Sequence, residues 1–186
     1  ANCLKALATR VDFDPKDVED VVAGCVTECG DQGGAIGRFA ALAAEWPTTV
    51  TGLSLNRYCG SGQQAVNFAL MGCASGFQEL VVGGGVESMS RVPMGADKHG
   101  LDGHNRHLRE LHPLVPQGIS ADLIAAVEGF SREDCDGWAL GSQQRCKQAQ
   151  AESRFAKSLI PVTGADGNVV LDRDELPRPE TTMETL

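Results

Sequence analysis

The sequence of 186 residues has no long apolar segment, few aromatic residues and no leader that would argue for secretion. No run of about 18 consecutive apolar residues occurs, which excludes a membrane-spanning helix. The hydrophobic fraction is 42%, enough at this length for one globular domain with a core. Because the sequence begins at Ala1 rather than at a methionine, we consider a trimmed or partial chain.

Basic residues are scarce relative to acidic ones. Sixteen lysines and arginines stand against 25 acidic residues, which gives a net charge of −9. Nucleic-acid binding requires a basic surface that neutralises phosphate groups, so this balance argues against a general nucleic-acid-binding protein. It does not exclude an anionic ligand that a few local arginines hold.

The seven cysteines lack the close, regular spacing of a secreted disulfide framework. We therefore predict a reduced intracellular protein, cytoplasmic or, in a eukaryote, in an organelle matrix. Cys25 and Cys29 have a spacing seen in metal sites, and His104 and His107 add a histidine pair. No second closely spaced cysteine pair accompanies them, so we predict no metal site and a solvated histidine-rich loop.

Strand-like and helix-like segments alternate in the first half of the chain. β-Prone residues fill Val18–Cys25, Thr49–Asn56 and Leu80–Val82, while helical patterns fill Ala35–Trp46 and Ser61–Ser75. This order predicts an α/β fold in which a mainly parallel sheet is covered by helices.

Each of the two helical segments has an apolar stripe that we expect to pack on the sheet. The stripes consist of Ile36, Phe39, Ala40, Ala43 and Trp46 in the first segment, and of Ala65, Val66, Ala69, Leu70 and Cys73 in the second. Large aromatic side chains are usually buried, so the core is also predicted to contain Phe39, Trp46 and Phe68.

The composition changes after Arg91, and we divide the chain there into a core region, 1–91, and a cap region, 92–186. All four histidines and many charges fill Asp97–His112, which is expected to be a surface excursion. A capping-box pattern at Ser131 and Asp134 predicts the start of a long helix. The elements predicted beyond the excursion are helices at Ile119–Val127 and Arg132–Ala156 and a hairpin that pairs Leu159–Val162 with Asn168–Leu171.

The most informative segment for chemistry is Asn56-Arg57-Tyr58-Cys59-Gly60-Ser61-Gly62. It places Cys59 between a β-prone run and a helix start, where the unpaired amides and the dipole of the first turn favour a thiolate. The glycines permit a sharp turn, and the cysteine amide can donate to an acyl oxygen that becomes negative during attack. Two interpretations stay open: a catalytic nucleophile, or a cysteine buried at a tight turn.

A second glycine-rich segment, Gly83–Gly85, follows the third predicted strand. It lacks the complete G-x-G-x-x-G pattern of a phosphate-binding turn, so we predict instead a turn packed closely beside the Cys59 segment. Glu87 is assigned no catalytic role, and we expect it to cap or brace the loop beside the active site.

Several segments, in the same order, closely resemble conserved segments of the thiolase family. Asn56–Val66, with its Asn-Arg-Tyr-Cys-Gly-Ser-Gly run, resembles the nucleophile motif, and Gly83–Ser90 resembles the second family signature. Two further segments, Gly118–Asp122 and Ser131–Asp134, resemble the family's cap-region helices, and Arg178–Thr182 matches its cofactor-loop pattern. The resemblance extends from about Val18 to Leu186.

The resemblance implies a thiolase-like N-terminal core, with helices on both faces of the sheet, and an inserted cap and cofactor-loop region. It implies that Cys59 attacks an acyl-CoA or 3-oxoacyl-CoA and forms a thioester, which CoA or acetyl-CoA then takes or extends. The reaction is thiolysis of a 3-oxoacyl-CoA or formation of acetoacetyl-CoA. CoA and acyl-CoA are then substrates, and no cofactor is tightly bound.

Two residues near the end of the chain match CoA contacts of the family. The resemblance places a CoA-contacting arginine at Arg178 and a polar contact near the adenine at Thr185. A guanidinium both stacks on a purine and pairs with phosphate, although an arginine in a charged tail is most often simply solvated. The family also implies a homodimer or homotetramer at full length.

The chain departs from the family pattern in lacking three segments. It contains neither the Gly-His-Pro motif of the base histidine nor the Cys-x-Gly-Gly-Gly motif of the second cysteine, and the family's opening strand is missing. We therefore expect a partial chain, with both regions incomplete. It should turn over poorly or not at all alone, since acid–base help is worth about 10²–10⁴-fold per group. Two alternatives remain: a ketoacyl-synthase-like condensing enzyme and a non-catalytic thiolase segment.

Overall fold

Three parallel strands form the sheet in the first half of the chain. The computed structural model describes residues 1–186. The chain forms two compact units, Ala1–Gly100 and Leu101–Leu186. The strands of the first unit are β1 (Asp20–Gly24), β2 (Thr51–Leu55) and β3 (Val81–Gly85), in the spatial order β2-β1-β3. Its helices are α1 (Asn2–Arg10), α2 (Ile36–Ala43) and α3 (Ser61–Ala74). The predicted α/β fold with a parallel sheet is confirmed.

The central strand, β1, pairs with both neighbours along its whole length. Its first residue, Asp20, lies opposite Thr51 and Val81, and its last, Gly24, lies opposite Leu55 and Gly85. Residues 21–24 of β1 are all buried, as expected for a parallel strand covered on both faces. Parallel pairing requires a crossover between consecutive strands, and α2 and α3 provide the two crossovers.

The helices α2 and α3 cover opposite faces of this sheet. A Cβ atom on Gly37 of α2 would lie 3.3 Å from the Cβ of Ala23, whereas one on Gly24 would lie 2.5 Å from the backbone nitrogen of Gly62 in α3. Successive residues of a strand point to opposite faces, so these contacts place one helix on each side. The predicted covering of both faces is confirmed.

The helix faces that contact the sheet are built from smaller residues than the predicted stripes. In α2 the buried positions are Gly37 and Ala41, and in α3 they are Ser61, Gln64, Ala65 and Ala69. The backbones approach so closely that a Cβ on Gly37 would lie 2.5 Å from the carbonyl oxygen of Val21, which leaves no room for larger side chains.

Several predicted core positions are therefore wrong. Phe39 is 53% exposed and Phe68 47% exposed, and Val66 and Leu70 lie on the outer side of α3. Trp46 is confirmed as a core residue, with Phe13 packed edge-on against it at 6.0 Å between ring centroids. The buried members of this core are Leu4, Val18, Val21, Ala41, Ala44, Trp46 and Val50.

The second unit consists of three α-helices, a hairpin and a short 3-10 helix at Met183–Thr185. The α-helices are α4 (Arg106–Leu111), α5 (Gln117–Glu128) and α6 (Arg132–Ala151), and the hairpin consists of the antiparallel strands β4 (Val162–Thr163) and β5 (Val169–Leu171). The capping box of α6 is confirmed, because Ser131 and Asp134 each accept a backbone hydrogen bond from the other. The division into functional regions at 1–91 and 92–186 stays a prediction.

None of the helices combines the length and the apolar character needed to cross a bilayer.

The helix α6 ends at Ala151, five residues before the predicted end, and Ser153 follows with a left-handed φ of +54°. The predicted surface excursion contains the short helix α4, whose N-cap, Asn105, accepts a hydrogen bond from the amide of Leu108 at 3.0 Å. No residue of the second unit is buried.

Candidate active site

Cys59 lies in the turn between the end of β2 and the start of α3. The first residue of α3 is Ser61 and its N-cap is Gly60, so the cysteine immediately precedes the cap. The predicted strand-to-helix junction is confirmed. The thiol is exposed, so the alternative interpretation of a cysteine buried at a tight turn is wrong.

The turn is held by hydrogen bonds on both sides of Cys59. The amides of Gly60 and Ser61 donate to the carbonyl oxygens of Arg57 and Tyr58 at 3.1 and 2.9 Å. The buried Ser61 hydroxyl donates to the carbonyl oxygen of Tyr58 at 2.6 Å and accepts from the amide of Arg57 at 2.8 Å. Tyr58 has a left-handed φ of +48°, which is unfavourable for a residue with a Cβ and needs such support.

Several backbone amides between Cys59 and the first turn of α3 have no acceptor within the chain. The amides of Cys59, Gly62 and Gln63 donate to no oxygen of the chain, and the helix ladder begins with the amide of Gln64 on the carbonyl oxygen of Gly60 at 2.9 Å. Free amides at a helix start carry partial positive charge and stabilise anions. The junction can therefore stabilise a thiolate or an oxyanion.

Glycines bring the start of α3 close to the sheet. A Cβ on Gly24 would lie 2.5 Å from the nitrogen of Gly62, one on Gly83 2.8 Å from the Cα of Val66, and one on Gly85 2.9 Å from the oxygen of Gly24. The predicted close packing is confirmed for Gly83 and Gly85 but not for Gly84, where an added Cβ would meet no atom within 4 Å. Their assignment to a turn is wrong, because β3 runs through all three residues.

Glu87 braces the loop that follows β1, as predicted. Its carboxylate accepts hydrogen bonds from the amides of Val26 and Thr27 at 2.8 and 3.2 Å and from the side chain of Gln32 at 2.8 Å. Loss of water around the carboxylate raises the pKa of Glu87, but the hydrogen bonds together outweigh it and the net pKa is lowered. Burial, with the nearby charge of Glu87, raises the pKa of the Cys25 thiol in the same loop.

Two polar side chains were not found from the sequence, of which one holds Glu87 and the other holds the turn that contains Cys59. Gln32 is buried, and besides holding Glu87 it accepts from the amide of Ser88 at 2.5 Å. Asn56 donates to the carbonyl oxygen of Val26 at 3.0 Å and accepts from the amide of Tyr58 at 2.8 Å. The Asn56 turn is a local pattern that the sequence could have indicated. Gln32 gives no such signal, because its partners Glu87 and Ser88 lie 55 and 56 residues away in the chain.

Arg178 and Thr185, the predicted CoA contacts, both lie in the segment that ends the second unit. The amide of Arg178 donates to the side chain of Gln143 at 2.9 Å, and its guanidinium is exposed and pairs with no carboxylate. The hydroxyl of Thr185 accepts from the amide of Thr182 at 3.0 Å. Arg132 also hydrogen-bonds the carbonyl oxygen of Leu186, so the segment is attached to α6 at several points. Cys59 lies in the first unit.

The sequence is similar to known thiolases over its whole length. The family profile described as "Thiolase, N-terminal domain" matches residues 1–186. A 3-ketoacyl-CoA thiolase of Shewanella frigidimarina is 38% identical, with 100% of this chain and 49% of the relative covered. A beta-ketoadipyl-CoA thiolase of Pseudomonas aeruginosa is 39% identical, with 98% of this chain and 50% of the relative covered.

The chain spans about half the length of the curated relatives it matches. The family profile matches every residue of the chain. The α/β fold and the exposed cysteine at the strand-to-helix junction agree with that match. The chain belongs to the thiolase family and corresponds to its N-terminal domain.

Proposed function

We propose that this chain carries the acylation site of a thiolase-type acyltransferase, with Cys59 as the nucleophile. The observation that carries the proposal is the exposed Cys59 thiol beside the free amides at the start of α3. Such amides favour the thiolate, which is the nucleophilic form of cysteine. The printed names of the relatives, 3-ketoacyl-CoA and beta-ketoadipyl-CoA thiolase, support CoA thioesters as the substrates.

The proposed reaction begins when the Cys59 thiolate attacks the 3-oxo carbonyl carbon of a 3-oxoacyl-CoA. A sulfur–carbon bond forms, and the carbonyl oxygen becomes negative and accepts from the Cys59 amide. The bond between C2 and C3 then breaks, the electron pair on C2 takes a proton from solvent, and acetyl-CoA leaves. The acyl group stays on Cys59 as a thioester.

The second half-reaction releases the acyl group. The thiolate of free CoA attacks the thioester carbonyl, an acyl-CoA shortened by one acetyl unit leaves, and the Cys59 thiolate is restored. In the opposite direction an acetyl group on Cys59 is extended by acetyl-CoA to acetoacetyl-CoA. Both directions use the same covalent intermediate on the same sulfur.

For CoA itself we propose contacts from Arg178 and Thr185. The exposed, unpaired guanidinium of Arg178 suits a phosphate or a purine face. Its neighbours Pro177 and Pro179 line an open cleft with Phe155, which offers an apolar wall. Arg173 adds a cation to this cleft, and Asp174 and Glu175 add two carboxylates. We also propose a cytoplasmic location and assembly into a homodimer or homotetramer at full length.

A ketoacyl-synthase-like condensing enzyme is disfavoured by the family match, and the remaining alternative is a segment without catalytic capacity. Incubation with acetyl-CoA, followed by intact-mass and peptide analysis, separates the two. We expect one acetyl group per chain on Cys59 and its removal by free CoA, with little or no sustained thiolysis by the chain alone.

The matched controls are Cys59→Ser and Cys73→Ser, since Cys73 is an exposed cysteine of α3 itself. Loss of acetylation in Cys59→Ser and its retention in Cys73→Ser support the proposal. Acetylation that is absent, or spread evenly over the exposed cysteines, supports the non-catalytic alternative and contradicts the proposal.

A further inference from the structure

A chain of hydrogen bonds connects the carboxylate of Glu87 with the turn that holds Cys59. The amide of Val26 donates to Glu87 at 2.8 Å, and the carbonyl oxygen of Val26 accepts from the Asn56 side chain at 3.0 Å. The same Asn56 side chain accepts from the amide of Tyr58 at 2.8 Å. Tyr58 directly precedes Cys59, so three hydrogen bonds lead from Glu87 to the turn.

The end of this path is a strained residue. Tyr58 has a φ of +48°, a conformation that a residue with a Cβ keeps only when its surroundings hold it. The hydrogen bond from its amide to Asn56 is one such restraint. If Tyr58 relaxed to an ordinary negative φ, Cys59 would rotate relative to the free amides at the start of α3.

The other end of the path is firmly fixed. The second carboxylate oxygen of Glu87 accepts from the side chain of Gln32 at 2.8 Å, and Gln32 is buried and also holds the amide of Ser88. Every group that contacts the Glu87 carboxylate here is a donor, so only an acceptor with two oxygens satisfies them all.

We propose that Glu87 is a positioning residue for the acylation of Cys59 and that it acts through Val26 and Asn56. The inference rests on the proposed role of Cys59 as the nucleophile. Glu87 touches neither the thiol nor the substrate in this account. It fixes the backbone of Val26, which fixes Asn56, which holds Tyr58 in the conformation that presents the thiol.

The experiment compares single-turnover acetylation of Cys59 by acetyl-CoA in four variants. Glu87→Gln replaces one carboxylate oxygen by a donor that faces other donors. Asn56→Asp keeps the acceptor for the Tyr58 amide but loses the donor to Val26. The double variant combines both changes, and Glu28→Gln removes a charge from an exposed position in the same loop.

We expect each single variant to lower the rate constant by about 10–100-fold, the range for a misplaced reacting group. The half-saturating acetyl-CoA concentration and the amount of acetylated protein should not change. The double variant should be no slower than the slower single variant, because both changes interrupt one path. Glu28→Gln should acetylate at the wild-type rate.

Two outcomes would overturn the proposal. In the first, Glu87→Gln lowers only the amount of protein that acetylates, which identifies a purely structural role. In the second, the two effects multiply in the double variant, which shows that the residues act separately.

Failure of the proposed function would be seen separately, as a wild-type chain that is not acetylated at Cys59. Alkylation by iodoacetamide then tests the path, since it requires only the surroundings of the thiol. The same pattern of rates at Cys59, with Cys73 unchanged as an internal reference, supports the path. Equal Cys59 rates in all variants overturn it.

Discussion

At the scale of single residues, the charge of Glu87 has the clearest consequence. Three hydrogen bonds donated to its carboxylate outweigh the loss of water around it and lower its pKa in the folded chain. The ionised form therefore stabilises the fold. That contribution is complete above the pKa of the unfolded chain, about 4.3 for a glutamate, and is lost as the pH falls through the lower folded value.

We predict that Glu87→Gln lowers the unfolding midpoint at neutral pH, and that the difference from wild type shrinks as the pH falls from the unfolded pKa of about 4.3 through the lowered folded pKa of Glu87. Thermal unfolding followed by circular dichroism across this pH range measures it. Because Glu87 is partly exposed, solvent screens the interaction and the effect should be modest. If the difference in unfolding midpoint between wild type and Glu87→Gln stayed constant with pH, the charge of Glu87 would not contribute to stability.

At the scale of elements, the contact between β1 and the start of α3 sets the geometry around Cys59. A Cβ on Gly24 would lie 2.5 Å from both the nitrogen of Gly62 and the oxygen of Ser61, and backbone atoms cannot move aside as a flexible side chain does. A Cβ added to Gly84 in β3 would meet no atom within 4 Å. The two glycines form a matched pair, one crowded and one open.

We predict that Gly24→Ala destabilises the chain by about 1–3 kcal/mol or more through overpacking, and that Gly84→Ala changes stability little. Gly24→Ala should also slow the modification of Cys59, because α3 must shift away from the sheet. Urea unfolding and the rate of Cys59 labelling measure the two effects. Equal stabilities of the two variants would contradict the close approach of β1 and α3.

The sequence predicted the elements of the first unit better than it predicted their buried faces. The alternation of strands and helices, the capping box at Ser131 and the cysteine at the start of α3 follow from local residue preferences, which the sequence displays directly. The buried helix faces were mispredicted because the most apolar stripe is not the one that fits: α2 turns Gly37 and Ala41 to the sheet and leaves Phe39 at 53% exposure.

The polar network around Glu87 was only partly predicted. Bracing by Glu87 was expected, but its partners Val26, Thr27 and Gln32 are 55–61 residues away in the chain. No periodicity or turn preference indicates which distant groups will meet. Such contacts follow from the register of β1 with its neighbours, and that register is set by the folded sheet.

At the scale of the whole chain, burial differs strongly between the two units. The first unit contains all of the buried residues, including the cluster around Val21, Trp46 and Val50. The second unit has none, and α5 exposes the apolar residues Ile119, Leu123, Ile124 and Val127. Helices without tertiary packing depend on local interactions such as caps and are only marginally stable.

We predict that amide exchange in the isolated chain is slowest in β1 and in the sheet-facing positions of α3, and much faster throughout α5 and α6. Hydrogen–deuterium exchange with peptide resolution measures this directly. Within the second unit, the capping box should slow exchange at the amides of Ser131 and Asp134, which it holds in hydrogen bonds, relative to the other amides of the first turn of α6. Equal protection of α5 and β1 would contradict the account.

The proposed activity depends on the reactivity of one thiol, that of Cys59. Cys3, Cys59, Cys73 and Cys135 are all exposed, and Cys3 and Cys135 also lie in the first turns of helices, so they control for accessibility and for a helix start. The most direct measurement is the alkylation rate of each cysteine by iodoacetamide in the folded chain. We predict that Cys59 reacts at least about tenfold faster than the other three, because free amides at the start of α3 stabilise the negative charge on its sulfur during attack. Equal rates at all four cysteines would contradict a nucleophile at Cys59.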